Sequence, residues 1–394
     1  MYNEMKLSAG AEYAIAKLEA AGFRADVVGG CVRDSLLGIA PSDFDITTSA
    51  MPSEMKSVFF ADRVLETGLK HGTLTLLVDG EPLEITTYRI DGEYDDARHP
   101  RQVEFSRDIE NDLSRRDFTV NAMAYSPKHG YTDLFCGKDD LRAKVIRAVG
   151  DPEMRFKEDA LRILRALRFA STLDFEIEEK TSAALCKLSD NLSLISAERV
   201  YAELMKLIAG KGALGILERY RNVIEKIIPE ASGYKPVAPD KFKEATPVLR
   251  FSSLFVGKTS EEIDCAMHRL RSDNETRLLV IDLVQYSNLS MGTRVEARKA
   301  IALLGEKTAR LLASFRNMLL LNSENEIELI SDIINSGECY KLSSLAVGGG
   351  DIMSLGARGP LVGKILSDLL SAVIEERIEN SREELLGYAV KLLK

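Results

Sequence analysis

The sequence predicts an α+β fold: an N-terminal domain with a small mixed β-sheet, followed by an all-helical array. Three observations carry this expectation. Short β-type runs are confined to about the first 150 residues, where Asp79-Gly80 separates two of them. Helical periodicity takes over at Glu158 and, after Ile208, leaves no convincing strand. The 394 residues, 45% hydrophobic and 29% charged, suffice for about two to four packed domains.

The elements follow in order. Ala25–Val28 reads as a strand running into Gly29-Gly30, and Asp43–Thr47 alternates polar and apolar residues as a strand does, with Phe44 turned to the core. Leu74–Val78 and Leu83–Tyr88 flank Asp79-Gly80 as a hairpin. Glu158–Ala170 and Ser196–Ile208 read as helices, and Pro229–Pro247, rich in Pro, Lys and Gly, as a connection between helical bundles. No fixed-period repeat is present.

Composition narrows the function. The net charge is −9, and residues 1–150 hold 25 acidic against 18 basic side chains. That balance argues against sequence-independent binding of long nucleic acid, while leaving room for a local basic stripe and for a metal site. Without a run of about 18 apolar residues no membrane-spanning helix is expected, and without a signal-like start the expected location is cytoplasmic. Cys31, Cys136, Cys186, Cys265 and Cys339 show no paired spacing and read as reduced, mostly buried thiols. The four histidines are dispersed, and Gly363-Lys364 fails the phosphate-loop pattern at Arg358 and Ile365.

The strongest local signal is Gly29-Gly30-Cys31-Val32-Arg33-Asp34 followed by Asp43-Phe44-Asp45. A strand, two glycines and a helix start admit a phosphate to the backbone, and Arg33 adds a cation. Alone, such a turn equally suits an ordinary strand-to-helix connection. Asp43 and Asp45, at i and i+2 on a strand, share a face, and their mutual repulsion is relieved by a cation such as Mg²⁺ bound with a nucleoside triphosphate. Glu84 on the polar face of the hairpin is a candidate third carboxylate or a solvated strand residue.

Arg115-Arg116-Asp117, before an expected helix start that includes Asn121, fits either a triphosphate and ribose site or a charged helix cap. In Glu158–Arg168 the arginines fall at every third position, and Asp159 and Arg162 are neighbours on that stripe. They form either a surface ion pair or an acceptor and donor for a base edge. Cytosine and adenine both present an amine beside a ring acceptor; guanine and uracil reverse the order.

In this order the segments resemble the class II CCA-adding enzymes, the tRNA nucleotidyltransferase and poly(A) polymerase family of the polymerase β superfamily. Gly29–Asp34 with Asp43–Asp45 resembles the first family motif and Arg115–Ala122 the second. Gly137–Leu141, with Arg147 and Gly150-Asp151-Pro152, is similar to the hinge motif. Glu158–Arg168 resembles the nucleotide-selecting helix, Glu198-Arg199 with Glu203-Leu204 the last neck motif, and Gly356–Gly363 the glycine-rich turn of the tail. Residues 205–340 match only in helical character and length.

The resemblance implies a nucleotidyltransferase head (1–147), a nucleotide-selecting neck (148–210), a body (211–310) and a tRNA-binding tail (311–394). It implies that Asp43 and Asp45 hold Mg²⁺ and that Gly30, Arg33, Arg116, Arg165 and Arg168 contact the nucleotide, with Gly29 and Asn121 in the same motifs. Asp117 would select the ribose, and Asp159 with Arg162 would pair with CTP or ATP in place of a nucleic-acid template. The expected reaction adds CCA to tRNA and releases pyrophosphate. Enzymes adding only A, and poly(A) polymerases, share these motifs; the acidic balance ranks poly(A) synthesis lower. A non-catalytic tRNA-binding module would be expected to lose one of Asp43 and Asp45. The segment Tyr94–Pro100 resembles the loop that switches the family from C to A, although His99 stands where an arginine is common. The sequence leaves the oligomeric state unassigned.

Overall fold

The computed structural model describes residues 4–91, 103–233, 237–320 and 325–393. The chain divides into two compact units, 1–229 and 230–394. The segment Tyr94–Pro100 lies outside the described residues.

In the first unit, a seven-stranded mixed sheet has the order β3-β4-β5-β2-β1-β8-β9. Its strands are β1 (Ala25–Val28), β2 (Ile46–Thr48), β3 (Val64–Leu65), β4 (Thr73–Val78), β5 (Glu81–Thr87), β8 (Met123–Ser126) and β9 (Gly130–Asp133). A separate ribbon pairs β6 (Arg89–Asp91) with β7 (Val103–Phe105), and a parallel pair joins β10 (Val145–Ile146) to β11 (Glu176–Ile177). The helices are α1 (Ala9–Ala20), α2 (Gly30–Leu36), α3 (Pro52–Val58), α4 (Ile109–Ser114), α5 (Gly137–Ala143), α6 (Pro152–Glu158), α7 (Leu161–Leu173), α8 (Glu179–Lys187) and α9 (Ala197–Ala209), followed by two short helices before Pro229.

The Asp79-Gly80 turn forms as expected: both residues take positive φ (49° and 88°), matching the twist of a two-residue hairpin. β4 and β5 are joined over six residue pairs from Thr73↔Thr86 to Val78↔Glu81. β2 then runs parallel to β5, with Ile46 opposite Ile85. Val27, Ile46, Leu74, Leu76, Leu83 and Ile85 are fully or almost fully buried, and Leu18 of α1 is fully buried too. This alternation leaves Glu84 on the open face.

Several expectations need correction. The strand expected at Asp43–Thr47 begins at Ile46, so Asp43 and Asp45 lie in its extended approach, and Phe44 is half-buried rather than in the core. No helix starts near Arg116: α4 has ended at Ser114, and Thr119–Asn121 is a single 3₁₀ turn leading into β8. The run Glu158–Arg168 is not one helix. α6 stops at Glu158, Asp159 is extended (φ −140°, ψ 104°), and α7 starts at Leu161. Of the cysteines only Cys31 and Cys339 are buried, while Cys136 and Cys265 are exposed; all five are free.

The second unit is helical among its described residues. The stretch Arg294–Met318 is two helices broken at Gly305, whose φ of 78° is accessible to glycine at little cost. Ile352, Leu369, Leu385 and Ala389 are fully buried in a core toward the C-terminus. No helix among the described residues is long and apolar enough to cross a membrane.

Candidate active site

A cleft of about 360 Å³ in the first unit is lined by Asp45, Glu84, Arg116, Asp117, Asp159, Arg162 and Arg165, all expected site residues. Three further arginines line it: Arg89, Arg115 and Arg199.

The carboxylate side is built by the sheet. The peptide N–H of Val28 donates to the Asp45 carbonyl at 3.0 Å, tying the approach to β2 against the end of β1. The parallel register of β2 and β5 then sets Asp45 alongside Glu84. Asp43 stands two residues upstream, where its carboxylate accepts from Ser42 Oγ at 2.9 Å. Asp45 is open to the cleft, yet packed protein and the charge of Asp43 push its carboxyl above the ordinary carboxylate range, with Glu84 adding and Arg116 opposing. Among the described residues no three acidic, His or Cys side chains close into a ready-made cage. Asp45 and Glu84 face the cleft and Asp43 stands beside it, an arrangement more open than a metal cage enclosed by protein.

The arginine side is fixed from below by Asp112 of α4, fully buried. It accepts from Arg115 Nε at 3.0 Å and Nη2 at 2.7 Å, from Arg116 Nη2 at 3.2 Å and from Thr47 Oγ1 at 3.2 Å. Burial works against its ionisation, but Arg116 and Arg115 prevail and hold it below the ordinary range. The backbone at Gly29 requires glycine, and Arg116 narrows the space beside it. Gly29 has a φ of +82°, and a Cβ there would stand 3.1 Å from Arg116 Nη1.

A second chain of polar contacts joins the motifs. Arg33 Nη1 donates to Asn121 Oδ1 at 2.7 Å, and Asn121 Nδ2 to Asp117 Oδ1 at 3.2 Å. Arg165 Nε donates to Asp117 Oδ2 at 2.8 Å. Burial again opposes the Asp117 charge, and Arg165 and Asn121 overcome it, so this carboxyl also lies low. The Phe169 ring gathers the guanidiniums of Arg168, Arg33 and Arg165 at 4.0, 5.3 and 5.4 Å from its centre. Gly29, Gly30, Arg33, Asp43, Asn121 and Arg168 thus stand behind or beside the cleft rather than on its lining.

Asp159 and Arg162 do not pair with each other through their side chains. Asp159 Oδ1 accepts from the Leu161 N–H at 3.0 Å and Oδ2 from Arg199 Nη2 at 3.0 Å. Arg162 donates to Glu158 Oε2 at 2.5 Å and to the carbonyls of Arg155 and Arg115 at 3.2 and 3.0 Å. Both side chains therefore face one cleft with separately fixed orientations. Sequence reasoning missed Asp112, Thr47, Arg89 and Phe169; a polar residue beside each quoted motif was the available signal for the first two.

The family model of the poly A polymerase head domain matches residues 25–147, that of the Probable RNA and SrmB-binding site of polymerase A residues 174–232, and that of tRNA nucleotidyltransferase domain 2 residues 241–389. The CCA-adding enzyme of Ligilactobacillus salivarius is 35% identical over 96% of this chain and 95% of its own. That of Enterococcus faecalis is 34% identical over 96% and 94%. Among solved structures, the Bacillus stearothermophilus CCA-adding enzyme in complex with CTP superposes with a TM-score of 0.78 at 28% identity, covering 97% of this chain and 96% of that one. The Thermotoga maritima CCA-adding enzyme complexed with tRNA shares the fold (TM-score 0.73, 21% identity, coverage 100% and 99%). With identities at this level over nearly the whole length, and the motif residues gathered around one cleft, the chain belongs to the family of CCA-adding enzymes.

Proposed function

We propose that this protein is a CCA tRNA nucleotidyltransferase that adds C, C and A to the 3′ end of tRNA from CTP and ATP, without a nucleic-acid template and with release of pyrophosphate. The observation that carries the reading is the single cleft in which Asp45 and Glu84 face Arg116, Asp117, Asp159, Arg162 and Arg165. Enzymes of this family use divalent metal ions, and the oxygen-only set of Asp43, Asp45 and Glu84 fits Mg²⁺. Bound there, the metal supplies charge stabilisation for the attacking and departing oxygens at the α-phosphate.

The residues of the chain do the rest. Asp43 and Asp45 would hold the metal, and Glu84 would add negative potential beside them. Arg33, Arg116, Arg165 and Arg168, with the backbone at Gly29 and Gly30, supply cations and N–H groups for the triphosphate. Asp117, oriented by Arg165 and Asn121, accepts from the ribose 2′-hydroxyl. Asp159 accepts from the exocyclic amine of cytosine or adenine while Arg162 donates to the adjacent ring acceptor. The corresponding division of the chain is a head to residue 147, a neck to 210, a body to 310 and a tail to 394.

Purified protein supplied with tRNA transcripts and labelled nucleotides tests the reading when the 3′ ends are sequenced. Transcripts ending at the discriminator base gain C, C and A; those ending in CC gain one A and no more. Extension of CC-ending tRNA alone would make it an A-adding enzyme, long A tails on arbitrary RNA a poly(A) polymerase, and no extension a binding module.

A further inference from the structure

Phe169 stands on α7 between the core and a group of arginines. Its ring is 8% exposed and meets Phe118 edge-on, with centres 5.7 Å apart and planes at 77°. Arg165 and Phe169 are four residues apart and share a face of α7. Arg168 precedes the ring, and Arg33 reaches it from α2. The guanidinium carbons of Arg165, Arg168 and Arg33 lie 5.4, 4.0 and 5.3 Å from the ring centre. Their nearest carboxylates differ: Asp117 at 2.6 Å from Arg165, Glu203 at 3.1 Å from Arg168 and Asp34 at 2.8 Å from Arg33. The ring is common to all three. Arg168 shows that these cations are crowded. Its Nε is shielded from water and makes no hydrogen bond among the described residues. Burial chiefly, with Arg165 and Arg33 adding and Glu203 and Asp117 opposing, pulls its pKa below the usual guanidinium range. Arg33 also flanks the glycine turn, where a Cβ at Gly30 would stand 3.6 Å from its Nη2.

We propose that Phe169 is a positioning residue for the triphosphate: its ring draws the guanidiniums of Arg33, Arg165 and Arg168 together beside the Gly29-Gly30 turn before the nucleotide arrives. Three neighbouring cations repel one another until a polyanion joins them. An aromatic ring carries negative charge density on its faces, so it attracts a guanidinium without a formal charge of its own. A carboxylate in the same place would attract more strongly, but it would compete with the incoming phosphates for the arginine N–H groups. Phenylalanine supplies the attraction and has no acceptor to compete. Cations gathered in advance lose less conformational freedom when the ligand binds. The inference rests on the reading of these arginines as triphosphate contacts.

Calorimetry on the full chain in metal-free buffer tests this with inorganic tripolyphosphate, which engages the arginines without base, ribose or metal. A trifluorinated phenylalanine at position 169 keeps the shape of the side chain and withdraws charge from the ring faces. Affinity is expected to fall about threefold or more with the fluorinated ring and about tenfold in Phe169→Leu. In turnover with tRNA, KM for CTP and for ATP should rise by similar factors, with kcat within about twofold of wild type and the preference for CTP over UTP unchanged. Phe169→Tyr, which keeps an aromatic face, should bind tripolyphosphate as wild type does. In an Arg168→Met background, which lacks the cation nearest the ring, fluorination should matter less. Wild-type tripolyphosphate affinity with the fluorinated ring would overturn the proposal and leave Phe169 a packing residue whose face the arginine stems cover. Loss of the preference for CTP over UTP at unchanged tripolyphosphate affinity would overturn it too. If Phe169→Leu does not fold, the nearly isosteric fluorinated ring decides. Weakened binding in Arg168→Met with full affinity in the fluorinated protein rejects the role of Phe169 alone. Full affinity in each of Arg33→Met, Arg165→Met and Arg168→Met rejects the reading of the arginines themselves.

Discussion

The two sides of the cleft treat a carboxylate in opposite ways. Asp45, crowded by protein and by Asp43, has its carboxyl pushed up, with Arg116 opposing. Asp112 and Asp117 are more deeply buried, yet their carboxyls are held low because Arg115, Arg116 and Arg165 surround them. Burial alone would raise all three. The difference shows which negative charges the fold has already neutralised and which it leaves for a ligand. Asp112 and Asp117 are compensated within the fold; the charge of Asp45 is the least compensated of the three.

Substitutions that remove one charge without changing shape break this comparison most directly. Asp45→Asn should lower nucleotide transfer by about 10³-fold or more, the equivalent of several kcal/mol of lost metal catalysis. Its melting temperature in metal-free buffer should equal or exceed that of wild type, because repulsion from Asp43 is relieved. A lowered melting temperature would place Asp45 among the compensated carboxylates. Asp112→Asn should do the reverse and destabilise the protein by about 3 kcal/mol, since it strips half-buried Arg115 and Arg116 of the counter-charge supplied from the buried Asp112 position. The folded pKa of Asp112 is depressed below its ordinary value of 3.8. Its contribution is therefore present above that value and lost as pH falls through the lower, folded one. Melting curves of wild type and Asp112→Asn should differ most above about pH 5 and converge in stronger acid.

Glu84→Gln keeps the hydrogen-bonding shape and removes the third charge. Transfer should fall by roughly 10- to 100-fold, with little change in melting temperature; wild-type rates would leave Glu84 a solvated strand residue. The smallest effect sets the baseline. Lys307 and Glu275 in the second unit pair at 2.6 Å with both side chains about three-quarters exposed. Lys307→Ala should move stability by no more than about 0.5 kcal/mol, since water screens such pairs.

What the sequence made legible was whatever depends on local chemistry. The Asp-Gly hairpin, the strand ending at Gly29, and the face of Glu84 follow from turn preferences and a period of two, and the structure contains them. The break at Asp159 was not legible. Leu161, Leu164, Leu167 and Arg162, Arg165, Arg168 continue a helical period straight back through Asp159, while a local bond to the Leu161 N–H and a tertiary contact with Arg199 accompany its extended backbone. Asp112 escaped notice for a similar reason. On a short helix it reads as one more acidic surface residue, and only the approach of β2 through Thr47, with the return of Arg115 and Arg116 onto it, turns it into a buried anchor. Phe169 likewise looks like an ordinary core residue of α7 until three guanidiniums from α2 and α7 meet its ring.

The extended backbone at Asp159 has a consequence for how readily the chemical preference of this cleft could change. A residue inside α6 or α7 must satisfy helix propensity and packing as well as any ligand. Residue 159 answers to neither, and its local duty is to accept the N–H of Leu161. Asn and Ser also offer an acceptor to that N–H, so such a change leaves both helices in place and removes chiefly the counter-charge of Arg199. If the base is read at residue 159, as proposed, the preference of the cleft can change without remodelling either helix.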